Sequence, residues 1–139
     1  MTSRADKLSR MVSLVKLQLR LSEWQLAQLR QQERSLQDEQ EWLVGALNDG
    51  KPPAGSSSES IARRLNRTSV GARAVQAQAS QQLDQVRSES RRVKQLEQVA
   101  KAALADKLRD AEKRSLEEMT GISHAVRDWS PRPVSRNKT

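Results

Sequence analysis

The sequence predicts an all-α fold, a long antiparallel two-helix coiled-coil hairpin, on three observations. A leucine-rich heptad seam runs through the first third of the chain, a Pro/Gly/Ser break interrupts it at 48–58, and a second, alanine-rich seam follows. Stepping alternately by four and three from Leu8 meets Val12, Val15, Leu19, Ser22, Leu26, Leu29, Glu33, Leu36, Gln40, Leu43 and Leu47, nine of the twelve aliphatic. A 3.5-residue period held that long marks a coiled coil rather than a helix of a compact domain.

Helix one is expected over about 4–48. Ser3 and Asp6 have the spacing of an N-terminal cap, and the acid suits the positive end of the helix dipole. Asn48-Asp49-Gly50 should end it, with Gly50 in the left-handed position after the last turn. The turn spans 49–57, where Pro52 and Pro53 forbid continuation. Ser56 and Glu59 have capping-box spacing, which starts helix two near Ser57 and carries it to about 127. Its seam reads Ile61, Leu65, Thr68, Ala72, Val75, Ala79, Gln82, Val86, Glu89, Val93, Leu96, Ala100 and Ala103, ten of thirteen apolar but four of them alanine. Beyond Leu96 the path shifts to four-residue steps through Ala100, Leu104, Leu108 and Ala111. Such stutters locally unwind a left-handed supercoil. The seam resumes through Leu116, Met119, Ile122 and Val126. Gly71 and Gly121 should weaken the helix, and a break at Gly71 would move the turn. Trp129-Ser130-Pro131 should close it, leaving a disordered basic tail over 128–139.

The two helices are unequal. A turn centred near 53 sets Leu8 opposite about residue 98, so 102–127 should overhang helix one and expose an apolar stripe. Helix one carries a second stripe as well, Leu14, Leu17, Leu21 and Trp24, on the face away from its seam and in line with Trp42. Three occupants suit that ridge: an external partner, a second copy, or the chain's own C-terminal segment. Polar seam residues (Ser22, Glu33, Gln40, Gln82, Glu89) are read as register-setting.

Composition narrows the function classes. A chain of 139 residues supports one domain, and 2% aromatics is too little for an ordinary compact core, so stability must come from helix packing along a line. The absence of cysteine excludes disulfides and thiolate metal sites. Neither a signal-peptide layout nor a run long enough to span a membrane is present, which predicts a cytoplasmic protein, peripheral to a membrane at most. His124 is the single histidine, and the glycines are scattered singly. Neither a metal site nor a phosphate loop follows, and no serine has a nucleophile's setting. No catalytic residue, cofactor or enzymatic activity is expected.

Net charge is +8, with a local excess at 59–75, where Arg63, Arg64, Arg67 and Arg73 face only Glu59. A basic hairpin tip of this kind suits an acidic protein surface, anionic lipid or phosphate; equally, it is a solvated face that aids solubility. A specific nucleic-acid binder is disfavoured because basic and acidic residues interleave and no helix-turn-helix or zinc arrangement is present.

The segment Arg91-Arg92-Val93-Lys94-Gln95-Leu96-Glu97-Gln98-Val99 resembles the Lys-x-Leu-Glu-x-Leu pattern in the second helix of flagellar export proteins of the FliJ type. Glu112-Lys113-Arg114-Ser115-Leu116-Glu117-Glu118 is similar to that family's Glu-x-x-x-Leu-Asp-Glu stretch. The resemblance implies a coiled-coil stalk of a type III protein export apparatus, flagellar or virulence-associated, which enters and helps assemble a hexameric export ATPase. It also implies contact with the membrane-embedded export gate and with substrate chaperones. On that basis Leu14, Leu17, Leu21, Trp24, Leu104, Leu108, Leu116 and Met119 are expected to meet the ring, and Arg63, Arg64, Arg67 and Arg73 the gate. The alternative is a basic coiled-coil scaffold or adaptor, homodimeric in one form, with an electrostatic binder of nucleic acid or anionic membrane behind it.

Overall fold

The computed structural model describes residues 3–50 and 55–129, which form two helices, α1 (Arg4–Asn48) and α2 (Ser58–Asp128), and no strand. At 1.5 Å per residue they measure about 68 and about 107 Å.

Local chemistry sets the ends. Ser3 caps α1 reciprocally: the Asp6 amide donates to Ser3 Oγ at 3.2 Å and the Ser3 amide to Asp6 Oδ2 at 3.4 Å. The last turn closes with the Asp49 amide on the Gly45 carbonyl at 2.9 Å, and Gly50 follows at φ +66. That left-handed conformation is the one a Cβ disfavours, so Gly50 occupies the predicted position. At α2 the capping differs from expectation. Ser57 is the cap, its Oγ accepting from the Ser60 amide at 3.1 Å, whereas the sequence suggested a Ser56–Glu59 frame. Consecutive serines offer overlapping frames, and the path leaving the turn selects among them. Glu59 lies in the first turn of α2 and pairs with Arg63 at 2.7 Å. The expected roles of Pro52 and Pro53 fall outside the described residues.

The helices pack against each other along one line. All twelve positions of the first walk and all thirteen of the second are buried or half-buried. Ala5 extends the α1 seam by one further step of three. Cross-helix bonds occur in reverse order along the two helices: Glu39 with Arg64, Gln40 with Ser69, Gln25 with Gln82, Lys16 with Glu97, Asp6 with Lys107. Two polar seam residues bond across the interface. Gln40 Nε2 donates to Ser69 Oγ at 2.9 Å, and Gln82 Nε2 to the Ser22 carbonyl at 3.0 Å. Each bond requires one axial alignment, since a slip of one turn moves the partner about 5.4 Å. Glu89 differs: Oε1 accepts from Gln85 on its own helix at 3.2 Å, while Oε2 is buried without a partner.

α2 continues unbroken through Gly71 and Gly121, so the break considered at Gly71 does not occur. Each glycine costs roughly 1 kcal/mol relative to alanine. At Gly71 the buried seam neighbours Thr68 and Val75 hold the helix. At Gly121 the flanking Leu, Glu, Met and Ala residues are strong helix formers. The helix ends at Asp128, with Trp129 extended after it; the expected disordered tail lies, from residue 130 on, outside the described residues.

Candidate docking surface

Burial or half-burial on α1 extends from Ala5 to Leu47, but on α2 it stops at Ala103. Every residue from 104 to 129 is exposed, because α1 ends and no other described residue packs there. The overhang therefore begins within two residues of the position expected from helix lengths. Its apolar members include Leu104, Leu108, Leu116 and Met119, 51–64% exposed, together with Ile122, Val126 and Trp129.

The second stripe is also open. Leu14, Leu17, Leu21 and Trp24 are 56–66% exposed, and Trp42 lies free farther along the same helix. As far as Trp129 the chain's own C-terminal segment does not cover them, since α2 continues past the start of α1 as one helix. The ridge and the overhang stay separate. Leu14 sits ten residues inside α1, about 15 Å from its first turn, and Met11 is the exposed apolar residue between.

Two grooves flank the open end. One, of about 360 Å³, is walled by Ala5, Val12, Ala100 and Leu104 with Glu97 and Lys101 at its rim. The other, of about 440 Å³, lies between the start of α1 and Val99, Ala103 and Lys107. Small side chains make both: alanine on either helix leaves space that leucine fills elsewhere in the seam. Asp6 stands between them. Hydrogen bonding by the Ser3 side chain, then the Lys107 ammonium 3.5 Å away, then the Ser3 amide, hold its carboxyl below the ordinary aspartate range.

The four arginines near the start of α2 do not act alike. Arg63 pairs with Glu59 on its own helix. Arg64 crosses to α1, with Nε at 2.9 Å and a terminal nitrogen at 2.8 Å from one oxygen of Glu39. Of the four, Arg67 and Arg73 have no ion pair among the described residues. Glu39 was not singled out by the sequence, because its role depends on register across a separation of 25 residues.

Among the described residues no group of three or more His, Cys, Asp or Glu could hold a metal ion, and no helix is long and apolar enough to cross a membrane. His124 is exposed. The described surface presents aliphatic and indole side chains along the two helices, with Arg63, Arg64, Arg67 and Arg73 near the start of α2. No protein-family model, curated protein or solved structure matches this chain.

Proposed function

We propose that this chain is an antiparallel coiled-coil hairpin acting as the non-enzymatic stalk of a flagellar-type, type III protein export apparatus. The observation that carries the reading is the bare apolar end: α2 projects past α1 with Leu104, Leu108, Leu116 and Met119 exposed on a rigid arm. An arm of this kind is narrow enough to enter a ring, and its side chains are the type that fill pockets there. The ridge of Leu14, Leu17, Leu21 and Trp24 lies farther back, where the rim of an export ATPase hexamer would meet a stalk inserted from the open end. Arg67 and Arg73, with Arg63 and Arg64 beside them, would face the export gate, and substrate chaperones would be escorted along the rod. The protein works on the cytoplasmic side, peripheral to the membrane.

The test is an affinity capture of the tagged full chain from its native cytosol at moderate salt, read by mass spectrometry. Recovery of a secretion-type ATPase supports the stalk, and truncation after Ala103 should abolish that recovery. Capture of nucleic acid alone or of the bait alone overturns it, as does a truncation that leaves ATPase binding intact.

A further inference from the structure

The overhang stripe has an internal symmetry. From Leu104 its central line follows Leu108, Ala111, Ser115, Met119, Ile122 and Val126, in steps of four, three and four, then four, three and four again, with Leu116 flanking that line beside Ser115. The pattern reads the same from either end, with Ser115 at its centre. We propose that the exposed end of α2 pairs antiparallel with the same segment of a second copy, about a two-fold axis at Ser115. The inference is independent of the stalk reading, although a ring and a second copy would occupy the same face.

The residues fit one another under that operation. Leu104 meets Val126 of the second copy and Leu108 meets Ile122, aliphatic against aliphatic, while the small Ala111 faces the long Met119. Ser115 meets itself. Two successive four-residue steps aim the central side chain directly at the other helix, where only a small one fits. Charge agrees as well. Arg114 and Glu118 lie on one edge of the stripe, neither with an ion-pair partner among the described residues, and antiparallel pairing brings each to its opposite on the second copy. Glu112 lies on the other edge, clear of the second copy's Glu118. Trp129, 73% exposed, is carried to Lys101, beside the apolar groove of Ala5, Val12, Ala100 and Leu104. The C-terminal end of one α2 also arrives near the N-terminal end of the other copy's α1, where the helix dipoles attract.

The test uses the full chain, which has no cysteine of its own. Helices about 8–10 Å apart, with Cα atoms about 2.3 Å from each axis, bring a directly facing pair within disulfide reach. Ser115→Cys should therefore form a disulfide-linked dimer under mild oxidation. Leu104→Cys should not, because antiparallel pairing sets it about 33 Å from its own mate. In sedimentation, Arg114→Glu and Glu118→Arg should each weaken the dimer about tenfold with unchanged circular dichroism. Mixed together, the two variants should restore it, since every edge contact then joins opposite charges. Trp129→Ala should weaken it too. A monomer at every concentration, equal cross-linking of both cysteines, or a mixture no tighter than its components would each overturn the proposal.

Discussion

Replacing Leu43 by alanine is the most direct test of the line of packing that holds the rod together. Leu43 is 1% exposed, the largest fully buried side chain among the described residues, and lies near the closed end, where Ile61 is 4% exposed. The change removes three carbons, worth roughly 2.4 kcal/mol at ~0.8 per buried methylene, and leaves a cavity that two stiff helices cannot collapse around. The loss is about 3 kcal/mol, near the middle of the range for buried Leu→Ala changes. For a domain of this size that lowers Tm by about 10 °C. Leu17→Ala is the control: the same atoms are removed at 59% exposure, and the change should stay within about 0.5 kcal/mol. Urea unfolding followed by helical circular dichroism measures both, with unchanged m-values confirming one transition. If the two variants unfold at the same midpoint, the seam is not what stabilises the protein.

Three further perturbations address separate parts of the structure. Gly71 sits in the α2 interior with open space where a Cβ would stand, so Gly71→Ala should stabilise by about 0.5–1 kcal/mol; a loss in thermal melting would show that the glycine is required. Glu89→Leu replaces a carboxylate with one buried, unpartnered oxygen by an aliphatic seam residue and should raise stability by about 1–2 kcal/mol in urea titration, whereas a decrease would mean that the oxygen has a partner in solution. Asp6 has a folded pKa below its unfolded one, so its contribution is present above the ordinary carboxylate range and is lost as pH falls through the lowered value. As pH falls from the ordinary aspartate range to the lowered value, Tm should drop more for the wild type than for Asp6→Asn; parallel curves would remove Asp6 from the pH dependence.

Most of the fold was legible in the sequence because one geometric rule generates it. A 3.5-residue period fixes which side chains face the partner, and every seam position from Leu8 to Leu47 and from Ile61 to Ala103 is buried or half-buried. Ser3 and Gly50 were equally legible, since a cap and a left-handed glycine are short-range properties. Contacts that depend on axial alignment were not. The Arg64–Glu39 pair joins flank positions of separate helices, and no local pattern distinguishes Glu39 from Glu41. The candidate site divides in the same way. Periodicity located the Leu104 to Val126 stripe, but the symmetry about Ser115 gains meaning only once the described residues leave that stripe uncovered.

The open end follows from a mismatch in length, since α1 has 45 residues and α2 has 71. Where both helices are present, alanine, glutamine and serine suffice in the seam because the partner backbone covers them. Beyond Ala103 no described residue of α1 remains opposite, yet the stripe becomes richer in large apolar residues: Leu104, Leu108, Met119, Ile122, Val126 and Trp129 all follow. Covering such residues is worth roughly 1–2 kcal/mol each when partial, against an association cost of ~4–15 kcal/mol. Two copies contributing these six apiece, with Ala111, would on that balance form a modest dimer that dilution separates. The proposed ring, surrounding the same arm on several sides, would bury more of each residue and displace the second copy. A face with that balance is protected when unused and still available, which a permanent helix–helix seam of the Leu43 kind would not allow.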